Sequence, residues 1–459
     1  MQNLPPSLAS ARHVSVSGRQ YRSNTLPFCF LLLWTFLGCG LHAQEISPLL
    51  FGQNYWMGEG DESRTGYLHL LWPRVRECGV QLVRIGGNEY NIHPPSLVRW
   101  IAMVESVQAI GAEPLVQIPA AFSDVQTAAL VQHLNANGRK PVRYWSIGNE
   151  PMLHDEYTLP QVHAYLLRIA TALRAADPAA RILISDEAWM RAPVYEALCG
   201  GDLDLTGKDA AGHWLIDGFS FHSYPNGEKF ERNDVTTTGV EKIRNDVQRL
   251  VALLDRANVL HGRTGDARLR WALTEVNVTY ANPNRDIDGI GNPSFVAGQF
   301  MAEIFGIGME YNALTIAPWS INEPDNIKTD FGFLGLPPDF APRSSYYHMQ
   351  MMAEHLTGRF MKTVSPDPLL KLIGTRSGKR IAILVLNEDL EKSRSFDLSL
   401  SLDGSPLQAD AGLKAHLTGE IPGQTSQIYV LNPDGKIVER ITYGLAENLR
   451  YLPPQRKRF

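Results

Sequence analysis

The chain has 459 residues, of which 44% are hydrophobic and 20% charged, so it can bury a large core in one barrel-sized domain with a smaller companion. The formal net charge is −5 at pH 7, and the only concentrated basic stretch is the short tail at residues 456–458. This charge distribution gives no electrostatic footprint for nucleic acid. We therefore expect a neutral partner.

Residues 1–43 have the features of a secretory signal peptide. Three arginines precede an apolar run at residues 28–37, which is too short to span a bilayer comfortably, and small residues and then Leu41-His42-Ala43 follow. We expect cleavage after Ala43 and hence a secreted or periplasmic protein without a membrane span. An uncleaved anchor, or a lipid anchor at Cys39, is the alternative.

Cleavage would leave Cys78 and Cys199 as the remaining cysteines. Each follows a segment with the apolar spacing of a helix. Buried free thiols fit this arrangement better than a disulfide framework does. The cysteines therefore add nothing to the argument for export.

From Gln44 onward, apolar runs of strand length alternate with segments of helical periodicity. Such alternation predicts parallel strands joined by right-handed crossovers, and eight units predict a (β/α)8 TIM barrel over residues 44–356. In such barrels, reactive groups lie at the C-terminal ends of the strands. The predicted strands are Leu50–Tyr55, Gln81–Ile85, Glu113–Ile118, Val142–Ile147, Arg181–Ser185, Ile216–Phe221, Leu269–Thr274 and Ala313–Pro318.

After Leu356 the pattern changes to short β-like runs separated by turn sequences such as Asp-Gly-Ser and Pro-Asp-Gly. This pattern predicts a small antiparallel β-sandwich over residues 357–445, followed by a tail at 446–459. All nine tryptophans lie at or before Trp319, so the sandwich lacks the indole platforms that stack on sugars. We expect it to pack tightly on the barrel. The predicted runs are Leu370–Thr375, Ile381–Leu386, Phe396–Leu402, Ile428–Leu431 and Ile437–Thr442.

Two predicted barrel strands deliver a glutamate at their C-terminal ends. One is the sequence Tyr-Trp-Ser-Ile-Gly-Asn-Glu-Pro ending in Glu150-Pro151, and the other is Arg-Trp-Ala-Leu-Thr-Glu-Val-Asn containing Glu275. Paired carboxylates of this kind are typical of glycoside hydrolysis. Most other strands also end in polar or aromatic side chains, among which Asn88, Gln117 and Asp186 are equally well explained as capping or loop residues. The strand-end residues are Gln53, Asn54, Arg84, Asn88, Glu89, Gln117, Asn149, Asp186, Glu187, His222, Tyr224, Asn277 and Trp319.

The segment Asn149-Glu150-Pro151, together with Glu275 and the strand-end residues Arg84, His222, Tyr224 and Trp319, resembles the motifs of clan A glycoside hydrolases. These are retaining enzymes on a (β/α)8 barrel. A barrel followed by a β-sandwich is similar to families 39, 44, 51 and 30 of that clan. The resemblance extends over about residues 49–435 and leaves the individual family open.

This resemblance implies that Glu150 is the general acid/base and Glu275 the nucleophile. It also implies that Arg84 and Tyr224 bind the carboxylate of Glu275 and favour its ionised form. Glu150 would then be protonated until the nucleophile has reacted. We therefore expect a double displacement with retained configuration.

The remaining implied residues bind the substrate. Asn149 would bond the hydroxyl next to the anomeric carbon, His222 would order the acid/base, and Trp319 would form an apolar floor under the sugar. No metal or phosphate motif is evident, so we expect chemistry without a cofactor or catalytic metal. A structural calcium ion held by Asp286 and Asp288 is left open.

These inferences predict a secreted retaining hydrolase of β-linked polysaccharide or oligosaccharide of the glucan, xylan or mannan type. One alternative is an exo-acting β-xylosidase or arabinofuranosidase-like enzyme. A remote one is a non-catalytic extracellular carbohydrate-binding protein, which would have no need of paired strand-end glutamates. A lyase acting on acidic polysaccharide would require several cations in the cleft, whereas Arg84 is the one evident at a strand end.

Overall fold

The computed structural model describes residues 45–55, 68–136, 138–153, 157–281, 287–323, 330–363, 365–400 and 415–459. The predicted signal peptide, residues 1–43, lies outside the described residues. Within them, no helix is both long and apolar enough to cross a membrane.

Eight parallel strands form one sheet in the described part of the chain, in sequence order, and a bridge between Phe51 and Ile316 links the first strand to the last. This arrangement confirms the predicted (β/α)8 barrel. The strands are buried on both faces, which explains their nearly continuous apolar sequences. They are β1 (Gly52–Tyr55), β2 (Leu82–Ile85), β3 (Glu113–Ile118), β4 (Tyr144–Ile147), β5 (Arg181–Glu187), β6 (Gly218–Ser223), β7 (Arg270–Val276) and β8 (Ile316–Pro318).

Capping residues mark the starts of helices such as α4 (Asp124–Leu134) and α8 (Phe295–Glu310). Ser123 and Gln126 form a reciprocal capping box at the start of α4, and Ser294 accepts a hydrogen bond from the Ala297 amide at the start of α8. The helices are α1 (Leu68–Glu77), α2 (Asn88–Ile92), α3 (Leu97–Ala109), α4 (Asp124–Leu134), α5 (Leu159–Ala176), α6 (Ala192–Leu198), α7 (Gly239–His261), α8 (Phe295–Glu310), α9 (Ser344–His355) and α10 (Leu445–Asn448).

Cys78 directly follows α1 and Cys199 directly follows α6. Both are buried free thiols, as predicted from the sequence. Burial raises the pKa of each thiol. They are therefore packing residues with little thiolate character.

Among its described residues, the C-terminal domain contains a six-stranded antiparallel sheet in the order β16-β15-β14-β11-β10-β9 and a separate antiparallel pair of β12 and β13, called the hairpin below. It confirms the predicted antiparallel domain. Three of its strands, β9, β13 and β16, were not predicted, and β16 lies within residues 446–459, which the sequence analysis left as a tail. The strands are β9 (Arg359–Met361), β10 (Leu370–Ser377), β11 (Arg380–Asn387), β12 (Arg394–Leu400), β13 (Ala415–Ile421), β14 (Thr425–Leu431), β15 (Ile437–Gly444) and β16 (Gln455–Arg458).

The central strands of the large sheet, β11 and β14, are buried on both faces. Along β11, Ile383 and Val385 join an apolar cluster with the hairpin, whereas Leu384 and Leu386 join the core of the barrel. The helix α8 lies at this junction and is buried all around, which accounts for its almost uninterrupted apolar sequence. The two domains therefore share one core, in agreement with the expected tight packing.

Candidate active site

Glu150 follows β4 at a sharp turn of the backbone. Gly148 and Glu150 both have positive φ values, 72° and 45°, and the Glu150 amide donates to the carbonyl of Asp186 at 2.8 Å. A left-handed conformation is costly for a glutamate and persists where surrounding contacts fix it. The turn leaves the Glu150 side chain 18% exposed at the C-terminal end of the barrel.

Glu275 lies near the end of β7, and each of its carboxylate oxygens accepts a hydrogen bond. Arg84 Nη1 donates to Oε1 at 2.7 Å, and the hydroxyl of Tyr224 donates to Oε2 at 3.0 Å. Burial raises the pKa of Tyr224 well above its usual range, so this phenol keeps its proton and acts as the donor. The two donors fix the orientation of the Glu275 carboxylate and compensate its charge.

His222, on β6, lies between the two glutamates. Its Nδ1 is 2.8 Å from Glu150 Oε1 and 3.7 Å from Glu275 Oε2. Burial alone would lower the pKa of His222, but the charges of Glu275 and Glu150 outweigh it and raise this pKa above its usual value. The imidazole is therefore biased toward the protonated form, in which Nδ1 donates to Glu150.

Arg84, on β2, is fully buried, and its guanidinium bonds side chains on or just after five other strands of the barrel. One terminal nitrogen of its guanidinium binds the nucleophile candidate, and the other binds acceptors on β3, just after β4 and near the end of β5. Burial would lower the pKa of Arg84, but Asp186 and Glu275 outweigh that effect and raise it. Its acceptors are Asn54 (3.2 Å) and Glu275 (2.7 Å) on Nη1, and Gln117 (3.1 Å), Asn149 (2.7 Å) and Asp186 (3.2 Å) on Nη2.

Asn54, Gln117 and Asp186 were not assigned to the site from the sequence. The only signal for them was their position at strand ends, which equally suits capping residues. Asp186 is the extra residue of a bulge, because Ser185 and Glu187 pair with consecutive residues of β6. Its φ of 42° directs the buried carboxylate toward Arg84, which a regular strand at this position would not do.

Trp319 directly follows β8 and is partly exposed. Its carbonyl accepts a hydrogen bond from Asn277 Nδ2 at 2.7 Å, its indole donates to Glu323 Oε1 at 3.3 Å, and its peptide bond to Ser320 is cis. All seven residues predicted for the site thus lie at the same end of the barrel. Hydrogen bonds join Arg84, Glu275, Asn149 and Tyr224 into one group and link His222 to Glu150, and His222 Nδ1 lies 3.7 Å from Glu275 Oε2 between the two groups.

A cavity of about 690 Å³ lies between the segments that follow β6 and β7. Phe230 and Glu228 line one side, and Thr279, Ile290 and Asn292 line the other. A bridge between Asn226 and Thr279 ties the two segments together. Loops at this end of a barrel commonly contact the ligand.

One ligand atom from each of Glu150, His222 and Glu275 lies within 4.8 Å of the others, a spacing compatible with a metal ion. The carboxylates already accept hydrogen bonds from His222, Arg84 and Tyr224, however. This set of donors and acceptors suits acid–base chemistry in its own right. Asp286, one of the two residues considered for calcium, lies outside the described residues.

The barrel with its β-sandwich has the fold of the clan A glycoside hydrolases that the sequence resembles. A scan of family models and a search of curated proteins gave no match. The solved structures that match share little sequence identity with this chain, so the likeness to them concerns the fold alone.

Three solved structures illustrate that likeness. The family 51 α-L-arabinofuranosidase of Bifidobacterium longum is 12% identical, with a TM-score of 0.59 over 88% of this chain and 96% of that one. The α-L-arabinofuranosidase of Thermotoga maritima is 13% identical, with a TM-score of 0.57 over 91% and 98%. The family 30 endoxylanase of Clostridium papyrosolvens is 13% identical, with a TM-score of 0.54 over 85% and 98%.

Proposed function

We propose that this protein is a retaining glycoside hydrolase with Glu275 as nucleophile and Glu150 as general acid/base. The observation that carries the proposal is the separation of the two side chains: one carboxylate oxygen of each lies within 4.8 Å of the other. Retaining enzymes hold their carboxyl groups about 5–5.5 Å apart, whereas inverting enzymes need about 6.5–9.5 Å to admit water. The short separation supports direct attack on the sugar.

In the first step, Glu275 attacks the anomeric carbon as the bond to the leaving oxygen breaks. Arg84 and Tyr224 hold the nucleophile in its anionic form through one hydrogen bond to each oxygen. Glu150 gives its proton to the leaving oxygen. Because His222 occupies Oε1 of Glu150, the transferred proton belongs on Oε2.

In the second step, the ionised Glu150 accepts a proton from water, and the water attacks the same carbon and releases Glu275. Neutralisation of Glu275 in the glycosyl ester removes a negative charge near Glu150, which favours this change of role. His222 remains hydrogen-bonded to Glu150 and keeps its carboxylate oriented. Retention of configuration follows from the two displacements.

Asn149 and Trp319 would bind the sugar at the cleavage point. Asn149 Oδ1 accepts from Arg84, so the amide nitrogen is left as a donor for the hydroxyl next to the anomeric carbon. Such a bond strengthens as positive charge develops on the ring. Trp319 follows β8, the strand next to that of Glu275, and would offer an apolar face beneath the sugar.

For the substrate we propose a β-linked oligosaccharide or polysaccharide of the glucan, xylan or mannan type. A pentoside, cleaved in exo fashion, is the alternative, and the arabinofuranosidases and the β-xylosidase among the structural neighbours support it. Export belongs to this proposal and rests on the leader at residues 1–43.

The test is a panel of aryl β-glucoside, β-mannoside, β-xyloside and α-L-arabinofuranoside together with the β-linked polysaccharides. We expect one or more to be hydrolysed, with the retained anomer as the first product by NMR. Glu275→Gln should lower turnover by at least about 10⁴-fold even on activated aryl glycosides, because no nucleophile remains. Retained turnover in that variant, or an inverted first product, would contradict the proposal.

Glu150→Ala provides the matched test of the other carboxyl group. We expect the first step on activated aryl glycosides to survive and azide to restore turnover, because azide needs no general base. The product should be the glycosyl azide with retained configuration, identified by mass spectrometry and NMR. Failure of azide to restore the rate on a substrate that the unaltered protein hydrolyses would sink the role of Glu150.

A further inference from the structure

Asp186 is hydrogen-bonded directly to Glu150 and, through Arg84, to Glu275, although the chemistry above makes no use of it. Its carboxylate accepts from Arg84 Nη2 at 3.2 Å, and Arg84 binds Glu275. Its backbone carbonyl accepts from the Glu150 amide at 2.8 Å. Asp186 therefore contacts both Arg84, which binds the nucleophile candidate, and the backbone of Glu150.

We propose that Asp186 is a positioning residue whose one carboxylate binds Arg84 and faces the imidazole of His222, and thereby sets the geometry of both glutamates. This inference rests on the proposed function for its effect on catalysis. The carboxylate lies between the two cationic groups of the site: Oδ2 is 3.2 Å from Arg84 Nη2, and Oδ1 is 3.9 Å from His222 Nε2.

The backbone at this point supports a specific role for the side chain. Ser185 and Asp186 have φ values of 94° and 42°, both in the left-handed region. Two consecutive non-glycine residues in that region are costly and persist only where other contacts compensate them. Thr274 donates to Asp186 Oδ1 at 2.5 Å and supplies part of that compensation. The bulge thus presents the carboxylate inward at an energetic cost.

The charges around Asp186 indicate what it does. Burial would raise the pKa of Asp186, but Arg84 and His222 outweigh burial and hold it below the usual range, so the group is an anion. Without it, the Arg84 charge would be balanced chiefly by Glu275. Glu275 would then be held more tightly by Arg84 and would be a poorer nucleophile. With Asp186 present, the positive charge of Arg84 is balanced by two carboxylates, those of Asp186 and Glu275.

The same anion supports the protonated form of His222. Nδ1 of His222 bonds Glu150, whereas Nε2 has no hydrogen-bond partner among the described residues and faces Asp186. Other groups also act on this imidazole: Glu150 and Glu275 favour its cationic form, and Arg84 opposes it. Glu187, the next residue of β5, pairs with Arg191 at 3.3 Å, and burial raises its pKa to about 7.

The first measurement is an NMR titration of the imidazole nitrogens of His222, assigned with His222→Gln. We expect both nitrogens of the unaltered protein to carry protons in most molecules at pH 6.5, the usual histidine value. Asp186→Asn should lower this titration midpoint. A neutral His222 at that pH, or a midpoint that Asp186→Asn leaves in place, would overturn the inference. Neither result depends on the protein being a glycosidase.

The second measurement is the pH dependence of kcat/KM on an aryl glycoside. Asp186→Asn should lower kcat/KM by about 100-fold through misplacement of the reacting groups, and should move both limbs of the profile to lower pH. Glu187→Gln is the matched control, because that neighbouring carboxyl is already protonated on the acidic limb. It should leave the acidic limb in place. If Asp186→Asn lowers kcat/KM but leaves both limbs of the pH profile in place, Asp186 acts only through packing and the inference is wrong.

Thr274→Val is the milder variant if Asp186→Asn folds poorly. It removes the hydroxyl that orients Asp186 Oδ1 and leaves every charge in place. We expect a loss of kcat/KM of about 10-fold with unmoved limbs. An unchanged rate would contradict the positioning role. If the unaltered protein hydrolyses no glycoside of the panel, the proposed function fails, while the NMR titration still decides the role of Asp186.

Discussion

The candidate site depends on the planar, forked shape of the Arg84 guanidinium group, which no other cationic side chain has. This guanidinium presents Nη1 to Glu275 and Nη2 to Asn149 and Asp186 at the same time, inside a fully buried site. A lysine ammonium is a compact point charge and cannot hold acceptors on both sides of the barrel. Shape as well as charge is therefore required at this position.

Arg84→Lys should accordingly lower kcat/KM by about 100-fold or more, because the nucleophile and Asn149 lose their fixed orientation. The fold should survive, since the charge between Asp186 and Glu275 is kept. Steady-state kinetics on an aryl glycoside, with a thermal melt to check folding, make the measurement. Unaltered kinetics in a folded variant would remove Arg84 from the catalytic machinery.

At the level of single elements, α8 is the most completely buried helix of the described chain. It is buried on every side between the barrel, α9 and the C-terminal sheet. Gly298 lies where α9 approaches most closely: a Cβ built there would overlap Ser344 Oγ and His348 Nδ1. The helix therefore uses glycine for close packing, although glycine lowers helix propensity.

We expect Gly298→Ala to reduce the free energy of unfolding by about 1–3 kcal/mol, as is typical of overpacking in a core. Gly207→Ala is the control, because a Cβ there would meet nothing nearer than His261 Cε1 at 3.5 Å. Urea unfolding followed by circular dichroism compares the two. Equal stability of both variants would show that α9 can shift to accommodate the methyl group.

At the scale of the whole molecule, a buried polar cluster joins the barrel to the sandwich. Lys371 Nζ on β10 lies 3.5 Å from Glu303 Oε2 on α8 and 3.7 Å from Glu388 Oε2, directly after β11. Burial and the neighbouring Glu303 raise the pKa of Glu388 well above its usual value of 4.5. One of the two carboxyl groups beside Lys371, that of Glu388, therefore holds a proton to a higher pH than a free glutamate does.

The sign of the resulting pH dependence follows from linkage. Because the folded-state pKa of Glu388 is raised, the folded state holds its proton more tightly than the unfolded state does. That contribution to stability is complete below about pH 4.5, the unfolded value, and is lost as pH rises through the folded pKa. The junction should weaken at alkaline pH.

Glu388→Gln removes this titration and keeps the ion pair of Glu303 with Lys371. We expect the melting temperature of the variant, relative to the unaltered protein, to rise between pH 5 and pH 8. Glu391→Gln, at an exposed position three residues further on, is the control and should show no such trend. Thermal melts at both pH values make the comparison, and an equal difference at both would contradict the linkage.

The sequence by itself determined the barrel, the antiparallel second domain and the end of the barrel at which polar residues collect. Those features follow from local periodicity: strand-length apolar runs and helical spacing report burial wherever the chain folds. Glu150 and Glu275 could be selected because parallel strands of a barrel bring their C-terminal ends together. The edge strand β16 escaped prediction because Gln455–Arg458 is fully exposed and has no apolar alternation.

Only the tertiary structure decided the separation of the glutamates, the acceptors of Arg84 and the inward turn of Asp186. These depend on distances across the barrel and on left-handed backbone angles that contacts from distant strands hold in place. A residue such as Asp186 has the same local sequence pattern whether it caps a loop or faces an arginine from another strand. The sequence therefore determined which residues reach the site, and the closure of the barrel decided what each of them contacts.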